Sequence, residues 1–252
     1  MDINQRREQI KQIIQEKGEV QVSDLQAQFA VSAVTLRNDL IFLERKGVCR
    51  RLFGKVVSSE NSGGISVDYN NQKNREKKER IGRYAATLIE EGESVLFYSG
   101  TTTQQIARFI DPEISFIAVT NSLTIAFELR TLPKASIVIL GGLMKHDLCA
   151  TFGVQTIQQV KELNLDKLFI SVDGIDAQMG ITNTAPFESE INRVILDCAK
   201  KIIVVADSTK VGKVSFIQMG KIEQIDALIT DGDADPEAIQ KLIDAGVTVK
   251  VV

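Results

Sequence analysis

The chain has 252 residues, 44% of them hydrophobic, and a formal net charge of −3, which is enough apolar material for one small and one large domain. Cys49, Cys149 and Cys198 are scattered with no C-x-x-C pair, so the sequence gives no sign of a disulfide framework or a cysteine zinc site, and the cytosol is the expected compartment. No apolar run has the length of a membrane span, and the opening MDINQRREQIKQ lacks the apolar core of a signal peptide, so no membrane partner is expected; no cofactor is expected either.

Charge is unevenly divided. Residues 1–56 hold ten Lys/Arg against seven Asp/Glu, a balance of +3, and the remainder 20 against 26, a balance of −6. A basic end on an acidic protein suits a nucleic-acid module joined to something else. Residues 4–17 place Ile10, Ile13 and Ile14 on one helical face, with Arg6, Arg7, Glu8 and Lys11 around them, and Gly18 ends that helix. Val20 and Val22 alternate as a short extended segment. Ser23-Asp24-Leu25-Gln26 then reads as a capping box for a second helix burying Leu25 and Phe29.

Only Ala30 and Val31 separate this helix from Ser32, the expected N-cap of a third one that ends at Gly47. Leu36, Leu40 and Leu43 form its buried stripe, while Val34, Asn38, Ile41 and Arg45 face the other way with Arg37 at the border and Thr35 near the N-terminal end. Arg and Asn suit bidentate contacts to guanine and adenine, and Val34 and Ile41 suit thymine methyls. Two helices joined by a tight turn are the arrangement in which the second enters a major groove. Val48–Leu52 and Val56-Val57 flank Phe53-Gly54-Lys55 and read as a hairpin wing, with Arg50, Arg51 and Lys55 as phosphate contacts.

The segments R-R-E-Q-I, V-Q-V-S-D-L, V-S-A-V-T-L-R-N-D-L-x-x-L-E-x-x-G and R-x-F-G resemble the DNA-binding domain of the DeoR family of bacterial sugar-metabolism regulators. Two departures stand out. Asn38 takes the place of a second Arg, and Phe53-Gly54-Lys55 replaces a more glycine-rich wing, which leads us to expect phosphate contact there rather than a very tight bend.

Residues 58–78 are polar, contain Gly63-Gly64 and show no sustained period, so they read as a linker. The charge run Lys73–Arg80 reads as the solvated start of a helix carrying Ile81, Ala85 and Leu88. Beyond it, apolar runs at Ser94–Tyr98, Ile114–Val119, Ser136–Leu140, Lys167–Val172, Lys201–Val205, Asp226–Thr230 and Thr248–Val251 alternate with helical stretches such as Thr102–Ile110, Leu123–Leu129, Glu188–Ala199 and Pro236–Ala245. That pattern predicts a doubly wound, largely parallel α/β domain over 79–252, with ligands at the C-terminal ends of its strands.

Those ends are polar or glycine-rich. They are Ser99-Gly100-Thr101-Thr102-Thr103, Thr120-Asn121-Ser122, Gly141-Gly142, Asp173-Gly174-Ile175-Asp176 and Asp207-Ser208-Thr209-Lys210. The first opens a helix with free N–H groups and hydroxyls, a setting for phosphate. Carboxylates, an amide and Lys210 suit the rest of a polyhydroxy ligand. Helix capping alone would account for each loop separately but not for Lys210.

G-T-T-T, T-N-S-L, L-G-G, V-D-G-I-D-x-x-x-G-I-T and A-D-S-T-K-V-G are similar to the sensor domain of the DeoR family, itself akin to ribose-5-phosphate isomerase and glucosamine-6-phosphate deaminase. Within the family the sequence looks closest to regulators of galactitol and N-acetylgalactosamine utilisation. Tyr98 stands where many members have Asp, and Asn192 where many have Lys, four residues after Glu188. The alternative is a sugar-phosphate isomerase with an accessory N-terminal domain. Isomerisation needs a carboxylate base and a cation for the enediolate. Where the isomerase would show a Lys and a glycine run, this chain reads Ile181-Thr182-Asn183-Thr184-Ala185, and its general-base Glu falls near Asn192.

The resemblance therefore implies no enzyme but a winged helix-turn-helix over 1–57, a linker over 58–78 and a sugar-phosphate-sensing domain over 79–252. Its partners would be operator DNA, a phosphorylated sugar or sugar-alcohol effector, and further copies of itself in a homodimer or homotetramer. The expected DNA contacts are Val34, Thr35, Arg37, Asn38, Arg45, Arg50, Arg51 and Lys55. The expected ligand contacts are Ser99, Gly100, Thr101, Thr102, Thr103, Asn121, Ser122, Gly141, Gly142, Asp173, Gly174, Asp176, Glu188 and Lys210.

Overall fold

The computed structural model describes residues 2–46, 48–52, 54–58, 74–184 and 189–252, in two compact units, Met1–Ser66 and Val67–Val252. In the first unit, helix α1 (Ile3–Lys17) starts where the Asp2 carboxylate accepts the Asn4 N–H, and stops where Gly18 turns to φ 71°, a conformation in which glycine has no Cβ to clash. Strand β1 (Glu19–Gln21), α2 (Val22–Phe29) and α3 (Ala33–Arg45) follow, then the hairpin of β2 (Cys49–Leu52) and β3 (Lys55–Ser58). The strands form an antiparallel sheet in the order β1-β3-β2. Ile10, Ile14, Leu25, Leu36, Leu40, Leu43 and Val56 share one core.

Ser32 caps α3 as expected, accepting the Thr35 N–H at 3.1 Å. The capping box at Ser23 does not form: α2 begins two residues earlier than that box requires, with Gln21 as N-cap and no side-chain cap, because Val22 continues into the helix instead of extending β1. The wing is also tighter than its composition suggested. Leu52 pairs directly with Lys55, and Gly54 at φ 79° supplies the left-handed residue that such a turn needs. Gly47 and Phe53 lie outside the described residues.

In the second unit, α4 (Arg75–Ala86) leads to β4 (Ser94–Phe97), α5 (Thr101–Phe109), β5 (Phe116–Thr120), α6 (Leu123–Leu129) and β6 (Ala135–Ile139). A small hairpin of β7 (Leu143–Lys145) and β8 (Ala150–Phe152) precedes α7 (Val154–Lys161) and β9 (Leu165–Ile170). Then come β10 (Gly174–Asp176), β11 (Gly180–Asn183), α8 (Ser189–Ile195), β12 (Ala199–Val205), β13 (Ile217–Gly220), β14 (Ala227–Thr230), α9 (Pro236–Asp244) and β15 (Thr248–Val251). The runs singled out in the sequence become the seven strands of one sheet, ordered β15-β14-β12-β9-β4-β5-β6 and parallel throughout.

Alternate residues of the central strands enter two different cores, which is why these strands read as continuous apolar runs. Val95, Phe97, Phe169, Ile203 and Val205 pack with Ile81, Ile106 and Ile125 on one face. Leu96, Tyr98, Leu168, Ile170 and Val204 pack with Val160, Ile191 and Leu242 on the other. Sequence reading passed over α7, the β7–β8 hairpin and a second antiparallel sheet, β10-β11-β13. The stretch Glu188–Ala199, expected as one helix, is helical over Ser189–Ile195, then tightens into a 3-10 turn and enters β12 at Ala199.

Arg6 and Arg7, which the sequence places around the apolar face of α1, close on a buried carboxylate. Asp39 is 1% exposed and accepts Arg6 Nε and Arg7 Nε at 2.7 Å each, one on each oxygen, so it ties α1 to α3. Breaking a buried pair leaves an uncompensated charge, and both arginines here retain some exposure. Asp39→Ala is therefore expected to destabilise the N-terminal unit by about 3 kcal/mol, the low end for such pairs, read as a lower urea midpoint at unchanged slope.

Candidate functional site

The outward side of α3 is polar and open. Val34 is 70% exposed, and Arg37 and Asn38 are exposed beside it. Ile41 is half-buried. Thr35, also half-buried, is occupied with Ser32, through its N–H and through a hydroxyl contact of 2.8 Å. Arg45 ends α3, and Arg50 and Arg51 lie on β2. Lys55 is placed differently from expectation, since its ammonium donates to Glu19 at 2.8 Å and its side chain is 11% exposed. A phosphate would have to compete with that carboxylate.

Two of the loops expected to hold ligand, those leaving β4 and β9, adjoin where the strand order reverses. β4 lies between β5, which follows it, and β9, which comes much later. The crevice at the C-terminal ends of such a pair is where open parallel sheets bind ligands. The Gly100 loop leaves β4 and presses on the exit of β9: a Cβ at Gly100 would sit 1.8 Å from Ser171 Oγ. Gly100 caps α5 with no side chain to occupy the first N–H groups, which leaves them for an anion. Thr101 and Ser99 are half-buried at this rim.

Asp173 follows β9, and Lys210 follows β12, the strand next to β9. Their side chains are each 33% exposed and meet at 3.4 Å. Asp173 also accepts the N–H and hydroxyl of Thr184, at 3.0 and 2.6 Å. The structure thus brings Gly100, Asp173 and Lys210 to one end of adjacent strands.

Other expected ligand groups are spent on the scaffold. The Thr103 hydroxyl is fully buried and donates to Tyr98 O at 2.7 Å, and Thr102 is also buried. Asn121 is buried between the Ser99 N–H and the Thr151 carbonyl, and Ser122 caps α6. The Gly141 carbonyl accepts Thr156 Oγ1 at 2.7 Å, and Gly142 lies against Phe152, so both shape the turn out of β6. Gly174 leaves its strand no room for a Cβ beside Lys213 O. Asp176 closes the β10–β11 turn by accepting the N–H groups of Gln178 and Met179, and strand alternation puts it on the face opposite Asp173. Glu188 lies outside the described residues.

Two lysines missed in the sequence reach the rim. Lys78 is 6% exposed and donates to Thr101 Oγ1 at 3.0 Å. Its signal was present: Lys78, Ile81, Gly82 and Ala85 form the buried stripe of α4 at helical spacing. Lys77 donates to Ser208 Oγ at 2.7 Å and pairs with Asp231 and Asp233 at 3.0 and 2.8 Å. The Asp233 hydrogen bond leads in raising the Lys77 pKa. Burial alone would push the Asp231 carboxyl up, but the Ser208 N–H and the Lys77 ammonium outweigh it and hold it below its ordinary value.

The two noted departures from the family pattern touch each other. Tyr98 donates its hydroxyl to Asn192 Oδ1 at 3.3 Å, both residues are 1% exposed, and Asn192 Nδ2 has no hydrogen-bond partner among the described residues. An amide there is neutral and cannot serve as a base.

Residues 6–62 match the DeoR-like helix-turn-helix domain, and residues 73–232 match the DeoR C terminal sensor domain. The chain belongs to the DeoR family. It is a DNA-binding transcriptional regulator with a C-terminal sensor domain rather than an enzyme. It is 34% identical to a protein of Escherichia coli O157:H7 named for repression of the aga operon, over 99% of this chain and 94% of that one. It is 30% identical to the transcriptional regulator GlpR of Haloferax volcanii, over 97% and 96%. Among solved structures, a sor operon regulator from Shigella flexneri shares 16% identity over 67% of this chain and 88% of that one, at a TM-score of 0.47. Ribose 5-phosphate isomerase A from Methanocaldococcus jannaschii shares 14% over 54% of each, at 0.40.

Gly100 sits at φ 170°, an extended backbone open to any residue, so only space forbids a side chain there. Gly100→Ala should destabilise the DeoR sensor domain by about 1–3 kcal/mol through overpacking. Adding Ser171→Gly should recover most of that loss, a coupling readable in a double-mutant cycle of thermal unfolding.

Proposed function

We propose that this regulator represses a sugar or sugar-alcohol catabolic operon and is controlled by a phosphorylated sugar bound between the Gly100 loop and Lys210. The observation that carries the reading is the Lys210–Asp173 pair, 3.4 Å apart, set beside the uncapped start of α5 at the reversal in strand order. In this reading the phosphate dianion takes the free N–H groups of α5, with Lys210 and Lys78 supplying charge, and Asp173 accepts sugar hydroxyls. The resemblance of the sequence to regulators of galactitol and N-acetylgalactosamine utilisation favours an amino-sugar or galactose-derived effector. DNA reading falls to 1–57 and sensing to 79–252, in the cytoplasm; among the described residues no helix is long and apolar enough to cross a membrane.

Assembly into dimers or tetramers follows from the few base contacts one small domain makes, too few to specify a site in a genome. Ile117, Val138, Ile139 and Leu143, all at least 44% exposed and on or next to the open edge strand β6, support burial against a second copy.

On the DNA side, Arg37→Ala should cost about 1–3 kcal/mol and blur preference at one base step, measured by gel shift on a permuted operator. A variant that binds as tightly and selectively as wild type would overturn the groove assignment. On the ligand side, calorimetry compares N-acetylgalactosamine 6-phosphate, galactose 6-phosphate and galactitol phosphate with their unphosphorylated forms. Lys210→Ala should lose about 1.5–3 kcal/mol, roughly ten- to a hundredfold in affinity for the phosphorylated ligand, while still binding operator without it. Equal affinity for sugar and sugar phosphate would overturn the pocket assignment.

A further inference from the structure

The chain enters the sensor unit through Asn74, which sits at φ 56°, in the left-handed region. Asn tolerates that conformation better than most residues, but it still costs energy and persists only where neighbours hold it. Asn74 does not cap α4. Its Nδ2 donates instead to Asp207 Oδ1 at 3.1 Å, at the start of the turn that carries Lys210. Three residues on, the Lys77 ammonium meets three acceptors: Ser208 Oγ at 2.7 Å, Asp231 Oδ2 at 3.0 Å and Asp233 Oδ2 at 2.8 Å. Those contacts use all the protons the group has.

Asp231 is fully buried and also accepts the Ser208 N–H at 2.7 Å. Ser208–Lys210 is a single 3-10 turn, so whatever moves Lys210 moves Ser208. Lys78, the next residue, holds Thr101 on the opposite rim. The first turn of α4 therefore grips both loops between which the anion is placed, and in chain order it is the first described segment after the N-terminal unit.

An isolated surface ion pair would be worth little and would report nothing. This one differs because one partner, Asp231, is buried and another, Ser208, belongs to the loop that carries Lys210 rather than to the helix itself. A ligand shifts an equilibrium only through contacts that differ between two states. Contacts from one helical turn to the moving loop provide such a difference.

We propose that Lys77 is a positioning residue that couples occupancy of the effector site to the linker: it transmits displacement of the Ser208–Lys210 turn to the first turn of α4. The inference rests on the reading that a phosphate group is bound by the Gly100 loop and Lys210.

Inorganic phosphate is the probe, used on the full chain with hydrogen exchange of the α4 first-turn amides and calorimetry in parallel. In wild type, saturating phosphate should change exchange of these amides by about fivefold or more, the lower end of ordinary coupling between sites. In Lys77→Met, phosphate affinity should stay within about twofold, as for sites that do not interact directly, while the exchange response disappears. Lys77→Arg should restore it. Ser208→Ala removes only the hydroxyl contact and leaves the Asp231 and Asp233 pairs in place, so it should reduce the response even if Lys77→Met folds poorly. An exchange response in Lys77→Met or Ser208→Ala equal to that of wild type overturns the proposal, as does wild type that binds phosphate without any response at α4. Failure of wild type to bind phosphate overturns the pocket reading itself, and this inference with it.

Discussion

The sensor unit depends on one close approach, the backbone of Gly100 against Ser171. It exists because β4 and β9 are neighbours although the chain runs out to β5 and β6 and back between them. A parallel sheet forces every strand to leave at the same end, and a reversal of order opens a crevice between two exits that diverge. With no Cβ at Gly100, the β4 exit closes on that crevice and the start of α5 points into it. Asp173 and Lys210, from β9 and β12, reach the same place by the same rule. Chemistry gathers there because the topology leaves nowhere else for the loops to go.

Buried charges position elements in both units more than they stabilise them. Asp39 holds Arg6 and Arg7 of α1 against α3, so these cations lie in the contact between the two helices while Arg37 is exposed on the outward face of α3. Lys77 and Asp231 do the equivalent work beside the ligand loops. Desolvation offsets much of the Coulomb attraction in such pairs, so their worth is in fixed geometry. Tyr98 and Asn192 show the contrasting case, a buried contact between two neutral side chains. A contact between neutral groups keeps the interior free of a lone charge.

The partition of polar groups has a simple cause. A strand exit must satisfy its own backbone before it can serve a ligand, since an unpaired buried donor costs about 1–3 kcal/mol. Asn121, Ser122 and Thr103 answer that need. They are the right residue types in the right loops, yet their hydrogen-bonding capacity is directed inward. Lys78 runs the other way: a charge that reads as solvated is drawn into the helix face because its stem packs beside Ile81 while its ammonium reaches Thr101.

What the sequence determined by itself was everything carried by periodicity. The stripe Leu36, Leu40, Leu43 placed α3 and its outward face, and seven apolar runs became the seven strands of the sheet to within two residues at either end. The family followed from short motifs at those same strand ends. Tertiary structure alone decided partnership. Asp39 with two arginines, Lys55 with Glu19 and Lys77 across three acceptors all join residues between which no periodic signal runs. Periodicity encodes which way a side chain faces relative to its own element; which groups it then meets depends on how distant elements pack, and no local pattern carries that information.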